Sequence, residues 1–419
     1  MTETVQLTYD LYTLPTAQHR AGLAGLLVVL DVMQRTVGME GLPEIQQPEP
    51  GLICFEIAQA DLQQVFDYLY TASVEEQSSA QQRKDRSGAP VEPLRIDVID
   101  TTDAKTGKVK QQKRHIYPVV VPAAPFLRGL SMPEPWLKLW REAVWSTLRG
   151  IPKTRGPYEE RSRHERASEA TKIWSQLLRG QRPAPDGSPY VADVASSVYL
   201  GAQAHNAELV PYCGRPSENL LLHFWPVVMG VGEAYQIEID KTTGKVVEKP
   251  AGFVLAIPDV AELDGFVNDF EASVDQLSAN MRGYRPRDAI CALPAEGGLQ
   301  YLSHLGAIAK HKLAGGELRF SVTGVEVSLI RKIGNTIPVL ASDRVPADPV
   351  LLDAYEAQVK DCTDLTLRAG LLRNLLDGVP WYSGFGRLFD AADARRFLGA
   401  GGGRFAAAVR RKFDMEENV

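Results

Sequence analysis

A short loop from Arg149 to Pro157 carries the residues best suited to binding a phosphate backbone. Lys153 and Arg155 lie in it between two predicted helices, with no carboxylate among the residues beside them. Pro152 and Pro157 restrict the backbone, so the loop is expected to hold its cations in a fixed arrangement. Cations held in this way contact phosphate oxygens or the edge of a nucleic-acid groove. The sequence therefore predicts that Arg149, Lys153 and Arg155 bind nucleic acid.

A second group of cations lies on a predicted β-hairpin upstream of this loop. Successive side chains of a strand point to opposite faces, so Lys108, Lys110 and Arg114 are expected on one face and Lys113 on the other. With Lys105 at the hairpin tip, they are predicted to bind nucleic acid. A second interpretation is equally open, because lysines on an exposed edge strand also prevent unwanted strand pairing.

Three arginines, Arg161, Arg163 and Arg166, lie on the helix predicted after the loop and complete the predicted nucleic-acid site. They have an alternative role. Glu159 with Arg163, and Arg161 with Glu165, can form ion pairs one helical turn apart that need no ligand.

Aromatic residues flank the basic loop and offer faces on which bases can stack. They are Trp136, Trp140, Trp145, Tyr158 and Trp174. Trp136 and Trp140 are four residues apart and share one face of a helix, so core packing is the favoured interpretation for most of them.

The N-terminal helix is unusual because Gly22 and Gly25 fall inside it, and each glycine costs about 1 kcal/mol relative to alanine. Close packing of the helix against a neighbouring backbone is the favoured explanation. The alternative is that Gln18, His19 and Arg20, near the helix start, contact RNA or a partner subunit.

Charge is distributed unevenly along the 419 residues, whose formal net charge is −6. Between Lys105 and Arg182 there are 17 lysines or arginines against six glutamates and no aspartate, a balance of +11. This segment therefore carries most of the field that can attract phosphate. A C-terminal set is predicted either to line a groove that binds a nucleic-acid strand or to solvate a terminal helix: Arg395, Arg396, Arg404, Arg410, Arg411 and Lys412.

Several protein classes are excluded by composition and motifs. No apolar run reaches the roughly 20 residues of a membrane helix and no signal sequence is evident, so a cytoplasmic protein without membrane contact is expected. The four cysteines are widely separated, which favours free thiols. The sequence signatures of zinc proteases, P-loop enzymes, serine hydrolases and EF-hands are absent. We expect no catalytic site, no bound metal and no cofactor.

The pattern of elements predicts an α+β fold: a mixed α/β N-terminal domain with long β-hairpins, followed by a mainly α-helical C-terminal domain. A loosely alternating strand is predicted from Val5 to Tyr12, and a helix follows through Arg35. Strands and helices continue to alternate, and a polar loop is expected over residues 73–93. Two hairpins follow, with the helices of the basic segment between them. The predicted domains are 1–260 and 261–419, the second with a short β insert.

Two segments, Leu14–Leu27 and Trp145–Tyr158, resemble the large subunit of a type I-B (MYXAN-type) CRISPR Cascade effector complex. The resemblance implies a non-catalytic protein at the 5′ end of the CRISPR RNA that recognises the protospacer-adjacent motif in double-stranded target DNA and promotes R-loop formation. It also implies that the protein guides the displaced DNA strand, a contact for which the C-terminal set of cations is the candidate. Base pairing with the guide then supplies the long sequence specificity.

The resemblance also implies partners. They are CRISPR RNA, the backbone, handle-capping and small subunits of Cascade, and a downstream helicase-nuclease or transposition proteins. Residues 1–260 would contact the RNA handle and the adjacent motif, and residues 261–419 would be similar to the small subunit. In related systems that second region is also made from an internal start, for which Met281 is one candidate here.

Two alternative functions remain open from the sequence. A CRISPR RNA processing ribonuclease would need a catalytic constellation, for which His115 and His164 are the best candidates. A scaffold protein without nucleic-acid contact predicts that replacing Lys153 and Arg155 by glutamate leaves target binding unchanged.

Overall fold

The computed structural model describes residues 3–38, 42–84, 87–102, 109–182, 187–202, 212–239, 246–312 and 320–384. The α-helices are α1 Ala17–Val37, α2 Gln59–Leu69, α3 Pro125–Gly129, α4 Glu134–Ser146, α5 Gly156–Ser162, α6 Ser168–Gly180, α7 Pro216–Leu221, α8 Trp225–Val228, α9 Leu263–Asp275, α10 Ala295–Lys312, α11 Pro349–Gln358 and α12 Leu365–Leu376. The strands are β1 Thr4–Asp10, β2 Gln46–Glu49, β3 Leu52–Ala58, β4 Ala72–Ser79, β5 Arg95–Thr102, β6 Val109–Pro122, β7 Ala192–Asp193, β8 Cys213–Gly214, β9 Gly230–Ile239, β10 Val246–Val260, β11 Met281–Arg282, β12 Arg285–Pro286, β13 Ile290–Cys291, β14 Val322–Ile330 and β15 Val339–Pro346. The predicted α+β class is confirmed.

The N-terminal sheet has the strand order β1-β3-β2, and its strands are antiparallel. In β1 the residues Val5, Leu7 and Tyr9 are buried while their neighbours are not, which is the period of two expected of a strand with one buried face. The strand and helix predicted at the N-terminus are thus confirmed as β1 and α1.

Close packing of α1 explains its two glycines. A Cβ atom on Gly22 would lie 2.8 Å from the carbonyl carbon of Leu221, and one on Gly25 would lie 2.9 Å from that of Phe224. Both distances are shorter than real Cβ contacts, so α1 approaches the chain between α7 and α8 more closely than any residue larger than glycine permits. The packing interpretation of these glycines is confirmed.

A five-stranded sheet has the order β13-β9-β10-β14-β15. The predicted hairpin before residue 260 is β9 with β10, and α1 and α10 pack against the sheet. The predicted β insert is β14, which pairs antiparallel with β10, from Phe253 opposite Ile330 to Val260 opposite Val322. The sheet therefore includes strands from both sides of residue 260, and the two-domain division there stays a prediction.

A separate three-stranded sheet, β4-β6-β5, contains the other predicted hairpin. The hairpin is formed by β5 and β6, as expected, but the predicted polar loop over residues 73–93 is wrong at its start. Residues 72–79 form β4 along the other side of β6, with Ala72 opposite Pro122 and Ser79 opposite His115. The long strand β6 offers backbone donors and acceptors on both edges, and pairing with them outweighs the polar composition of β4.

The basic segment contains four α-helices, α3 to α6, where two were predicted. The first predicted helix is α4, but the second is split into α5 and α6. The break contains His164, whose φ of 63° lies in the left-handed region and cannot continue a helix. After residue 260 the described structure contains the helices α9 to α12 together with the strands β11 to β15.

Candidate nucleic-acid interface

The 149–157 loop is a compact turn at the C-terminal end of α4. Pro152–Thr154 form one turn of 3-10 helix, and Gly150 lies tightly between Ser146 and Ile337. Arg155 secures the turn: its Nε donates to the carbonyl oxygen of Arg149 at 2.7 Å, and its Nη2 donates to that of Trp145 at 3.2 Å. The Trp145 carbonyl belongs to the last turn of α4, where carbonyls lack partners within the helix, and the Arg149 carbonyl follows in the loop. Arg155 therefore caps the C-terminus of α4 and ties the loop to it.

The guanidinium of Arg155 also stacks on an aromatic ring, with its Cζ 4.1 Å from the ring centre of Trp145. Burial lowers the pKa of Arg155 from its ordinary value. The side chain is therefore engaged by the protein, and the sequence pattern alone did not separate it from Lys153.

This arrangement predicts different effects for the two cations of the loop. Replacing Arg155 by alanine removes two hydrogen bonds and the stacking contact, and should lower the free energy of unfolding by about 1.5–3 kcal/mol. Replacing the exposed Lys153 by alanine should change it by less than about 0.5 kcal/mol. Urea denaturation of the two variants measures the difference, and equal effects would contradict the capping role.

Lys153 is exposed at the top of the turn. Within the described ranges of the chain, no carboxylate lies within ion-pair distance of it. A cation without an internal partner keeps its full field for an external anion. Of the predicted loop residues, Lys153 is therefore the one that is available to a phosphate.

A second lysine joins Lys153 from a distant part of the sequence. Lys332 lies in the turn between β14 and β15, and its Nζ donates to the carbonyl oxygen of Gly150 at 2.8 Å. Its neighbour Arg331 is exposed and has no ion pair among the residues that the structure describes. The sequence analysis missed both, because 182 positions separate Lys332 from Gly150 and only the tertiary structure brings the two turns together. We call Lys153, Arg331 and Lys332 the basic loop cluster.

Arg149 lies beneath the loop and is only 8% exposed. Its Nη1 donates to the carbonyl oxygen of Ser197, and its Nη2 donates to the hydroxyl of Tyr70 at 3.3 Å. Its Cζ also lies 5.8 Å from the ring centre of Tyr70. Arg149 thus connects three parts of the core.

The hairpin cations have different surroundings. Lys113 is exposed and lies opposite Val98 in the register of β6 against β5. Arg114 is partly buried and lies opposite Asp97. The Nε of Arg114 is enclosed, and no hydrogen-bond partner for it exists within the described structure. Lys105, Lys108 and the side chain of Lys110 lie outside the described residues, as do the six C-terminal cations Arg395, Arg396, Arg404, Arg410, Arg411 and Lys412.

The three arginines after the loop contact carboxylates or backbone carbonyls. Arg161 donates to the carbonyl oxygens of Asp67 and Glu165, and Arg163 binds the carboxylate of Glu165 through two hydrogen bonds. Arg166 lies 3.8 Å from a carboxylate oxygen of Asp67 but its side chain is 71% exposed. The ion pairs predicted one turn apart are replaced by these contacts, because the helix ends before Glu165.

Gln18, His19 and Arg20 are held by the protein at the start of α1. The amide of Gln18 makes two hydrogen bonds, both 2.9 Å, with the backbone of Leu200. His19 is 2% exposed, and burial, together with Arg20, lowers its pKa to about 4. Arg20 Nε binds Asp259 at 2.6 Å. Gln18 and Arg20 thus tie α1 to neighbouring segments, and His19 contacts Thr16 at the start of the same helix.

The aromatic residues near the loop pack mainly in the core. Trp136, Trp140, Trp174 and Tyr158 are buried, and Trp145 is partly buried beneath Arg155. The core-packing interpretation is confirmed for these four, because a buried ring offers no face to a base.

The two histidines considered for catalysis differ in exposure. His164 is exposed on the turn after α5. Both ring nitrogens of His115 are enclosed, and neither nitrogen has a hydrogen-bond partner among the described residues.

Across the ranges that the structure describes, no three His, Cys, Asp or Glu side chains are grouped to hold a metal ion. No helix in those ranges combines the length and the apolar character that crossing a bilayer requires.

Comparison with protein families matches most of the chain. Residues 42–314 match the type I-B CRISPR Cas8b N-terminal domain, and residues 322–419 match the type I-B CRISPR Cas8b C-terminal domain. No curated protein matches the chain. The two matched regions meet in the segment between α10 and β14, beyond the division predicted at residue 260. The chain therefore belongs to the Cas8b family, the large subunits of type I-B CRISPR complexes.

Proposed function

We propose that this Cas8b subunit contacts duplex target DNA through the basic loop cluster while the complex tests for a protospacer-adjacent motif and opens the strands. Membership of the family implies a Cascade complex with CRISPR RNA and target DNA. The observation that supports a DNA contact is that the Lys332 ammonium binds the carbonyl of Gly150, in the same short loop that carries Lys153; both lysines are exposed. Two turns from distant parts of the chain thus present cations at one place.

The physical role of this cluster is to hold the DNA backbone. Lysine is a flexible point charge that neutralises phosphate without reading a base, so the cluster supplies affinity and position. The turn that carries Lys153 is anchored by Arg155, and the Lys332 ammonium is anchored on Gly150. Cations on anchored turns lose little freedom on binding, which favours a defined path for the duplex.

Further parts of the function are proposals that extend this one. The chain acts without catalysis in the cytoplasm, promotes R-loop formation, and recruits a helicase-nuclease or transposition proteins. Its direct neighbours are the backbone, handle-capping and small subunits. Residues 1–260 contact the RNA handle and the adjacent motif, and residues 261–419 act like a small subunit. Lys113 on the hairpin is a second DNA or RNA contact.

The test is target binding by the assembled complex. With the Lys153→Glu, Lys332→Glu variant, we expect affinity for a matched duplex to fall about tenfold or more at physiological salt. The slope of log affinity against log salt should decrease by about 2, one for each lost phosphate contact. Fluorescence anisotropy with labelled duplex over a salt series measures both.

A matched control is Lys138→Glu, which reverses an exposed lysine in the N-terminal half of α4. It should leave affinity and salt slope close to those of the unmodified complex. If the double variant binds like this control while its melting temperature and assembly are normal, the proposed contact is wrong. Cleavage of repeat RNA by the purified chain, lost in His164→Ala, would overturn the non-catalytic proposal.

A further inference from the structure

An acidic groove lies on a part of the surface that the DNA proposal does not use. It runs between the segment 42–51, α1 and the start of α9, and has a volume of about 660 Å³. A second depression of about 460 Å³ adjoins it, since Gln47 and Asp264 line both. Together they form one elongated groove, which we call the 42–51 groove.

The floor of the 42–51 groove is apolar. Leu27 of α1, Leu42 and Ile45 of the segment 42–51, and Val267 of α9 line it, and each is only partly buried against the core. An apolar surface left half-covered in a concave site is typical of a place where another side chain inserts.

The rim of the groove is negatively charged. Glu44, Glu49, Glu262 and Asp264 are exposed along it, and no lysine, arginine or histidine is among the described residues that line it. None of these four carboxylates has an ion pair within the described parts of the chain. The carboxylate of Glu262 also caps the start of α9, because it accepts a hydrogen bond from the Gly265 amide.

One further carboxylate of the groove is partly neutralised. Asp31 binds Arg35 at 2.6 Å, and the same guanidinium binds Glu271 at 2.5 Å. Two carboxylates thus share a single cation, so this end of the groove keeps a net negative charge as well.

These features define the occupant by its chemistry. Nucleic acid is excluded, because phosphates would be repelled by a rim of unpaired carboxylates. We infer that the 42–51 groove docks a lysine- or arginine-rich segment of a neighbouring protein subunit, with at least one apolar side chain inserted on the floor. Proteins that coat RNA need an excess of cations, so the other subunits of an RNA-guided complex are suitable sources of such a segment. The inference rests on the family assignment and does not depend on DNA contact by Lys153.

The test separates assembly from DNA binding. In the Glu44→Lys, Glu49→Lys variant, we expect the concentration needed to incorporate the chain into the guide-loaded complex to rise about tenfold, because two attractive charges become repulsive. Neither residue caps a helix or pairs internally, so the isolated variant should melt like the unmodified chain. Complex that does assemble at high concentration should bind target DNA normally, unlike the Lys153→Glu, Lys332→Glu variant.

The control reverses the same number of exposed carboxylates elsewhere. Glu3→Lys, Glu92→Lys should assemble like the unmodified chain. If the groove variant also assembles normally, or if the control is equally impaired, the groove is not a docking site. A photoreactive benzoylphenylalanine in place of Gln47, which lines both halves of the groove, identifies the occupant. Cross-links to a basic segment of another subunit support the inference, whereas cross-links to nucleic acid, to a second copy or to this chain's own C-terminal residues overturn it.

Discussion

Gly25→Ala is expected to lower the free energy of unfolding by about 3 kcal/mol or more, and Gly22→Ala by a similar amount. In either variant the new methyl group overlaps a backbone carbonyl, of Phe224 or Leu221, which cannot move without displacing α8 or α7. Helix propensity alone would give the opposite result, since alanine is favoured over glycine by about 1 kcal/mol within a helix. Chemical denaturation followed by circular dichroism measures the sign and the size of the change in the free energy of unfolding.

Gly156→Ala is the matched control for this prediction. Gly156 also lies in a helix, has no positive φ, and no atom lies within 4 Å of a Cβ built on it. Its replacement should be neutral or stabilising by up to about 1 kcal/mol. If Gly25→Ala behaves in the same way, α1 does not pack as closely as the structure shows.

Arg368→Met is expected to destabilise the protein by about 3–5 kcal/mol at neutral pH. Arg368 and Glu296 form an ion pair in the interior, where their side chains are 5% and 0% exposed. Glu296 also accepts from the amide of Ala292 at 2.7 Å and from the hydroxyl of Tyr355 at 3.0 Å. Removing the arginine leaves a buried carboxylate with no compensating charge.

The pH dependence of this variant has a definite sign. Burial already raises the pKa of Glu296, and Arg368 opposes that effect. Without Arg368 the pKa rises further, so the folded variant binds a proton more tightly than the unfolded chain, and its stability increases as the pH falls. The loss of unfolding free energy relative to the unmodified protein should therefore be smaller at pH 5 than at pH 8.

A double variant tests the cause. Glu296→Gln with Arg368→Met keeps an amide oxygen to accept from the Ala292 amide and turns an NH2 donor toward the Tyr355 hydroxyl, whose oxygen can accept. It removes the buried charge, so it should be more stable than Arg368→Met alone at neutral pH. Urea denaturation of the two variants and the unmodified protein at both pH values provides the comparison. Equal stability of the single and double variants, or a deficit independent of pH, would show that the unpaired charge is not responsible.

Local patterns predicted much of this fold from sequence. The alternation of Val5, Leu7 and Tyr9 predicted β1, and two runs of β-forming residues around a polar turn predicted each long hairpin. Such signals are carried by neighbouring residues, so they can be read without the tertiary structure. Strand β4 was not predicted because its residues are polar and mostly exposed, so they show no alternating apolar pattern. The strand forms because its backbone pairs with β6.

The candidate site was only partly predictable for a related reason. Composition and prolines identified the 149–157 loop, but they did not distinguish Arg155, which caps α4, from Lys153, which is exposed. The contact of Lys332 with Gly150 could not be predicted, because it joins residues 182 positions apart and depends on the tertiary structure. Long-range pairing of this kind leaves no local signature.

The pairing of β10 with β14 also constrains any shorter product of the same gene. A polypeptide beginning at Met281 would contain β14 and β15 but neither β9 nor β10. The edge of β14 from Val322 to Ile330, saturated by β10 in the full chain, would then present a row of unpaired amides and carbonyls next to buried valines. Such an edge recruits another strand or aggregates, so a separate C-terminal fragment would need either a rearranged sheet or a partner that supplies the missing strand.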